Sequence, residues 1–200
     1  MESKIKNAQQ ILNFMHMAEN LKKLIRHSWL SDGRQESVAE HTWRMSLLYL
    51  LVEPYLAISL DSRKVLEMIT IHDIVEAIAG DIPAFEQFDN DVKTQKIANE
   101  IKAIESIREE LGSENGGKFY NLWYEFENKV SNESKVANAL DKLEAQIQHN
   151  EADIDTWLDI EKEMLFMLDK HVNFNNFLTI LKDVIVQEGI TKLKSAELNN

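Results

Sequence analysis

The chain has 200 residues, 44% of them hydrophobic and 28% charged, with 6 Gly, 2 Pro and no Cys. That composition argues against a disordered chain and excludes a disulfide framework, a thiol nucleophile and a Cys-based zinc site. The formal net charge is -12, from 34 acidic and 22 basic residues; this disfavours a broad nucleic-acid surface, which works by neutralising phosphates with Lys and Arg, but is compatible with one small phosphorylated substrate.

In chain order, the spacing of Ile11, Leu12, Met15, Ala18, Leu21, Leu24 and Ile25 predicts a first helix from about Ala8 to Arg26. A polar loop runs from Ser31 to Glu36. Ser37 and Glu40 form a capping box that opens a second helix, ending near Glu53 before Pro54. Asp61 or Ser62 caps a third helix, which ends near Gly80. A loop with Asp81, Pro83 and Phe85 follows. A long helix spans Asp91 to Leu111 and stops at Gly112, its charged run from Lys93 to Glu110 reading as a solvated face. Residues 113–118, with Gly116 and Gly117, form the clearest break in the chain. Phe119, Tyr120, Trp123, Tyr124 and Phe126 start another helix and read as core or subunit interface. Ser131 or Asn132 caps a helix from Glu133 to His149. Asp155 caps one from Thr156 to Lys170, and the last covers Asn173 to Gln187 before Gly189. Alternation with period two does not persist, so no strand is predicted. The expected fold class is all-α, one helical bundle over residues 1–200. No apolar run approaches the roughly 18 residues of a membrane span, and the N-terminal MESKIKNAQQ has no signal-peptide core. A reducing cytoplasm is the expected setting.

The informative residues are ionisable groups on faces that should be apolar. His41 shares a stripe with Val38, Met45, Leu48 and Val52. In the third helix Val65 and Ile69 lead into His72, Asp73 and Glu76 on one face. Burying such groups without partners is costly. A divalent cation satisfies them, because neutral imidazole and carboxylate are good ligands for first-row transition metals. Asp141, at the edge of the Leu140 and Leu143 stripe, completes a set of two His and two Asp from three helices. Taken singly, each has a plainer reading: a core histidine, a local His-Asp hydrogen bond, and a salt bridge to Lys142. His16, His27, His149 and His171 have no ligand spacing.

The segments Glu36-Ser37-Val38-Ala39-Glu40-His41, Ile71-His72-Asp73-Ile74-Val75-Glu76-Ala77-Ile78-Ala79-Gly80-Asp81-Ile82-Pro83 and Ala139-Leu140-Asp141-Lys142-Leu143-Glu144 resemble the HD-domain metal-dependent phosphohydrolases. The branch most similar is that of the bacterial 5'-deoxynucleotidases and their archaeal and eukaryotic relatives, over roughly residues 10–170, with the C-terminal helix appended. The resemblance implies an all-helical bundle, commonly a homodimer. It implies four metal ligands, His41, His72, Asp73 and Asp141, and an acidic pair, Glu76 and Asp81. It also implies a substrate-binding Arg fifteen residues before the first ligand, the place of Arg26. Where the bacterial enzymes follow that Arg with Trp, this chain has His27, with Trp29 two residues later.

The expected activity is hydrolysis of (deoxy)nucleoside 5'-monophosphates. Alternatives are a nucleoside triphosphate or guanosine tetraphosphate hydrolase, or a non-catalytic, metal-stabilised nucleotide sensor. Glu76 is placed to move a proton, though a salt bridge would also use it; Asp81 orients water or contacts the sugar, or serves as a turn residue. Arg26 binds phosphate or complements a helix terminus. One divalent metal is expected: cobalt, manganese, zinc, nickel or iron.

Overall fold

The computed structural model describes residues 1–199. α1 covers Glu2–Ala18 and passes into a 3-10 turn, Glu19–Lys22. β1, Ile25–Trp29, pairs antiparallel with β2, Gln35–Ser37. α2 (Val38–Val52), α3 (Ser62–Ile71) and the short α4 (Glu76–Ala79) follow. α5 spans Asn90–Asn128 and α6 spans Asn132–Glu151. α7 (Asp159–Met164) and α8 (Asp169–Val172) are short, and α9 (Asn176–Asn199) closes the described chain.

Among the described residues the fold is all-α apart from one hairpin, and α6 is its centre. It packs on α2, α3, α5, α8 and α9, and Val136, Ala137, Ala139, Leu140 and Leu143 are all fully buried. The α2 side of this core supplies Val38, Met45 and Tyr49, and the α3 side Val65, Met68 and Ile69.

Local chemistry sets the element ends. Ser37 accepts from the Glu40 amide at 3.3 Å while the Glu40 carboxylate accepts from the Ser37 amide at 2.8 Å, so the expected capping box is present. Asp61 caps α3 and Ser131 caps α6.

Several expectations need correction. The first helix ends at Ala18, and Arg26 lies on β1. The expected polar loop is the turn of a hairpin too short for alternation to persist, with Asp32-Gly33 at its tip and Gly33 at φ 85°. The third helix is interrupted after Ile71: the amides of Ile74 and Glu76 reach back three residues, to Ile71 and Asp73. That tighter winding turns successive residues through about 120° rather than about 100°.

The break in α5 is Gly112 alone, at φ 76° and ψ -174°, and helix resumes immediately through residues 113–118. Gly116 fits because a Cβ there would lie 2.2 Å from the Arg108 carbonyl oxygen: the two halves of α5 fold against each other. The charged run in α5 is not a fully solvated face, since Glu100, Ala103, Ile104 and Ile107 are buried. Leu122, Trp123 and Phe126 are core. Asp153, not Asp155, caps the turn Ile154–Thr156, and the expected 156–170 helix is broken into α7, a 3-10 turn and α8. α9 continues through Gly189, where a side chain would meet Leu165 and Asn150 at about 3 Å.

Candidate metal centre

Three elements bring the predicted ligands together. The cap at Ser37 sets the phase of α2, and His41 then points into the core with Val38 and Met45. His72 and Asp73 sit in the tightened winding after α3, His72 Nε2 lying 3.1 Å from Asp73 Oδ2. His41, His72 and Asp73 each offer a ligand atom within 4.8 Å of the others. Asp141 stands outside that trio but reaches His41 Nε2 from α6, with Oδ1 at 3.2 Å. Its other oxygen accepts from Lys142 at 2.8 Å, so the plain salt bridge foreseen for it is also made.

The donor set fits a metal ion. The Nδ1 atoms of both histidines are engaged, His72 with the Ile69 carbonyl at 2.7 Å and His41 with the Glu144 carboxylate. Acceptors on Nδ1 fix the proton there and leave the Nε2 lone pair free. Both Nε2 atoms are buried and make no hydrogen bond. Two buried imidazole lone pairs beside two carboxylates are an arrangement that a divalent cation satisfies.

The charges agree. Burial works against ionising Asp73, but the adjacent His72 and His41 hold its carboxyl down at about 2. Burial likewise opposes ionising Asp141, and Lys142 and His41 carry it well below the ordinary carboxylate range. Burial and the Arg26 charge lower His41, yet Asp141 and Glu144 outweigh them and raise it to about 9. Without metal, the site holds a proton that an ion would displace.

Glu76 is buried at the start of α4, beside Gly80 at φ 83°, after which the chain turns to Asp81. Burial, Asp73 and Asp81 raise the Glu76 carboxyl well above its usual range. Burial also raises Asp81, against the pull of Arg26. Arg26 donates from Nη1 to Glu36 Oε2 at 3.0 Å; burial opposes its charge, and Glu36, Asp73 and Asp141 more than offset that. Its position on a strand removes the helix-terminus reading.

Sequence reasoning missed Glu36 and Glu144 as partners of this site, and Lys96, which pairs with Glu100 on α5 and also faces Glu76 and Asp73. For Glu144 the signal was its place one turn after Asp141. His27 and His149 both approach Glu161 Oε1, at 3.5 and 3.7 Å, away from the trio.

Comparison with known proteins gives a consistent picture. Residues 18–178 match the family model described as HD domain. A 5'-deoxynucleotidase of Danio rerio is 35% identical over 144 residues, covering 70% of this chain and 68% of that protein. A human 5'-deoxynucleotidase is 31% identical over 147 residues, covering 72% and 69%. A solved structure from Magnetospirillum magnetotacticum, described as a predicted metal-dependent phosphohydrolase, has the same fold. Its TM-score is 0.81 at 24% identity, over 94% of this chain and 97% of that one.

Proposed function

The chain belongs to the HD domain family, and from that premise we propose that it is a metal-dependent nucleotide phosphohydrolase, a 5'-nucleotidase acting on (deoxy)nucleoside 5'-monophosphates. The observation that carries the reading is the pair of buried, unpartnered Nε2 atoms on His41 and His72 beside Asp73 and Asp141. The names of the relatives at 35% and 31% identity support a nucleotide substrate.

In this reading His41, His72, Asp73 and Asp141 hold one divalent ion. Such an ion lowers the pKa of water and neutralises charge on phosphoryl oxygens. Two imidazoles and two carboxylates suit cobalt, manganese, zinc, nickel or iron. Arg26, already aimed at the acidic cluster by Glu36, binds the phosphate as a charged fork. Glu76 carries the proton that its burial favours. It delivers that proton to the 5'-oxygen as the phosphorus–oxygen bond breaks; the water's oxygen ends on the phosphate with one of its protons, and the other proton returns to Glu76. Asp81 orients the water or the sugar.

The reading treats residues 1–200 as one domain, with the part of α9 beyond residue 178 appended to the matched region. It places the cysteine-free chain in the cytoplasm. It also takes a second copy as partner. Trp43, Leu47, Leu50, Leu51 and Tyr55 form one exposed stripe along α2 and the turn after it, and no charged residue occurs from Met45 to Val52. An uncharged apolar stripe of this size suits an interface. In a chain of net charge -12, such a stripe lets two copies meet without opposing like charges.

Phosphate release from a panel of ribo- and deoxyribonucleoside mono- and triphosphates tests the substrate. Release from monophosphates is expected. Release from triphosphates or guanosine tetraphosphate alone would replace the substrate, and metal-dependent nucleotide binding without release would make the chain a sensor.

A further inference from the structure

The two imidazoles of the site are held by different chemistry. His72 Nδ1 bonds to a main-chain carbonyl three residues back, that of Ile69 at the end of α3. His41 Nδ1 bonds to a carboxylate 103 residues away, that of Glu144 on α6. Glu144 is fully buried, and its Oε1 makes no hydrogen bond. The nearest cation to that oxygen is the Arg44 guanidinium, with Nε at 3.5 Å. A buried carboxylate so thinly compensated costs more than an apolar side chain of the same size.

A cation on the Nδ1 side is the first explanation to consider, because Glu36, His41 and Glu144 also converge. Two guanidinium groups argue against it. Glu36 is bonded to Arg26 at 3.0 Å, and Arg44 faces Glu144. Glu36 already has its counter-charge, and a divalent ion placed between the two guanidinium groups would be repelled.

We propose that Glu144 is a positioning residue for the metal, whose carboxylate fixes His41 as the Nδ1–H tautomer, aims Nε2 at the ion and makes His41 the more strongly donating of the two imidazoles. This rests on the reading of His41 and His72 as ligands. A carboxylate behind a ligating imidazole raises its basicity more than a carbonyl does. Arg44 holds the arrangement in place, with Nη1 on Gln148 Oε1 at 2.6 Å and on Glu151 Oε2 at 2.7 Å. Gln148 in turn donates to the Trp29 carbonyl at 2.7 Å. One brace therefore ties the His41 support to β1, the strand that carries Arg26.

Proton NMR of the whole chain loaded with cobalt(II) chloride tests the proposal. Each ligating imidazole carries one solvent-exchangeable N–H, and the paramagnetic ion shifts it far from the other signals. The wild type is expected to give two such signals. Glu144→Leu should lose or displace one and leave the other in place. Glu144→Gln, which keeps an acceptor without charge, should retain both, with one exchanging faster. Cobalt affinity, read by competition with a chelating dye, should weaken about 10- to 100-fold in Glu144→Leu and less in Glu144→Gln. Two wild-type signals that are unchanged in both variants, with unchanged affinity, would overturn the role of Glu144. Cobalt binding with no shifted exchangeable signal in the wild type would overturn the ligand reading itself, and the proposal with it. If Glu144→Leu fails to fold by circular dichroism, the Glu144→Gln comparison decides alone.

Discussion

The rings of His41 and His72 lie 5.7 Å apart, centroid to centroid, and each turns a buried, unbonded Nε2 away from the acceptor that holds its Nδ1. One ring comes from the first turn of α2, the other from the residue just past α3. Asp73 and Asp141 stand beside these lone pairs. The centre is thus a property of three helices packed together, and no single segment contains it.

Turnover, but not metal binding, should depend on Glu76. Burial and two neighbouring carboxylates favour its protonated form. Glu76→Gln should retain the ion while phosphate release falls about 100- to 10,000-fold. Metal analysis and initial rates on the same preparation check this. Undiminished turnover would remove Glu76 from the mechanism.

Metal-free protein should lose stability in alkali, and metal-loaded protein should not. His41 is raised from 6.5 to about 9 in the metal-free fold. A raised value means the folded state binds the proton more tightly than the unfolded one. That stability is fully present below pH 6.5 and is lost as pH rises through 9. The loss is on the order of 3 kcal/mol. Glu76, also raised, acts in the same direction. Asp73, held near 2, is ionised throughout this window and does not contribute. Melting temperatures of chelated protein should therefore fall between pH 6.5 and 9, and those of metal-loaded protein should hold nearly level. Parallel curves would contradict the proton–metal exchange.

Two glycines of α5 should respond to alanine with opposite signs. Gly112 sits at φ 76° and ψ -174°, where a side chain is strained; Gly112→Ala should cost about 1–3 kcal/mol. Gly117 lies in helix with open space around its Cβ position, so Gly117→Ala should stabilise by roughly 0.5–1 kcal/mol. Urea unfolding of both variants measures the pair.

Leu51, exposed in the middle of the α2 stripe, tests the proposed self-association. Leu51→Glu should convert a dimer to a folded monomer, read by light scattering after size exclusion. A wild type that is monomeric at high concentration would refute the interface.

Much of the site was legible because helical periodicity makes misplaced charge visible. His41 among Val38, Met45 and Val52, and His72 with Asp73 beyond Val65 and Ile69, stand out on faces that the structure buries. The caps at Ser37, Asp61 and Ser131 were readable from side-chain chemistry, and each is present. The hairpin was not legible, because three to five residues per strand give too few repeats for a period of two. Nor was the contact of Glu144 with His41, since the two lie 103 residues apart and spacing along one helix reports nothing across two. Gly112 was read correctly as a stop, but helix resumes after it because Gly116 lets the second half of α5 close on Arg108.

The most direct test of the metal-dependent hydrolase is to measure bound metal and phosphate release together. Chelated protein would be reloaded stepwise with single divalent metals and assayed with a nucleoside 5'-monophosphate, beside Asp73→Ala. The account predicts release rising in proportion to bound ion, up to one per chain, and neither ion nor release in Asp73→Ala. Release that persists in chelated protein, or an Asp73→Ala variant that keeps both metal and turnover, would contradict it.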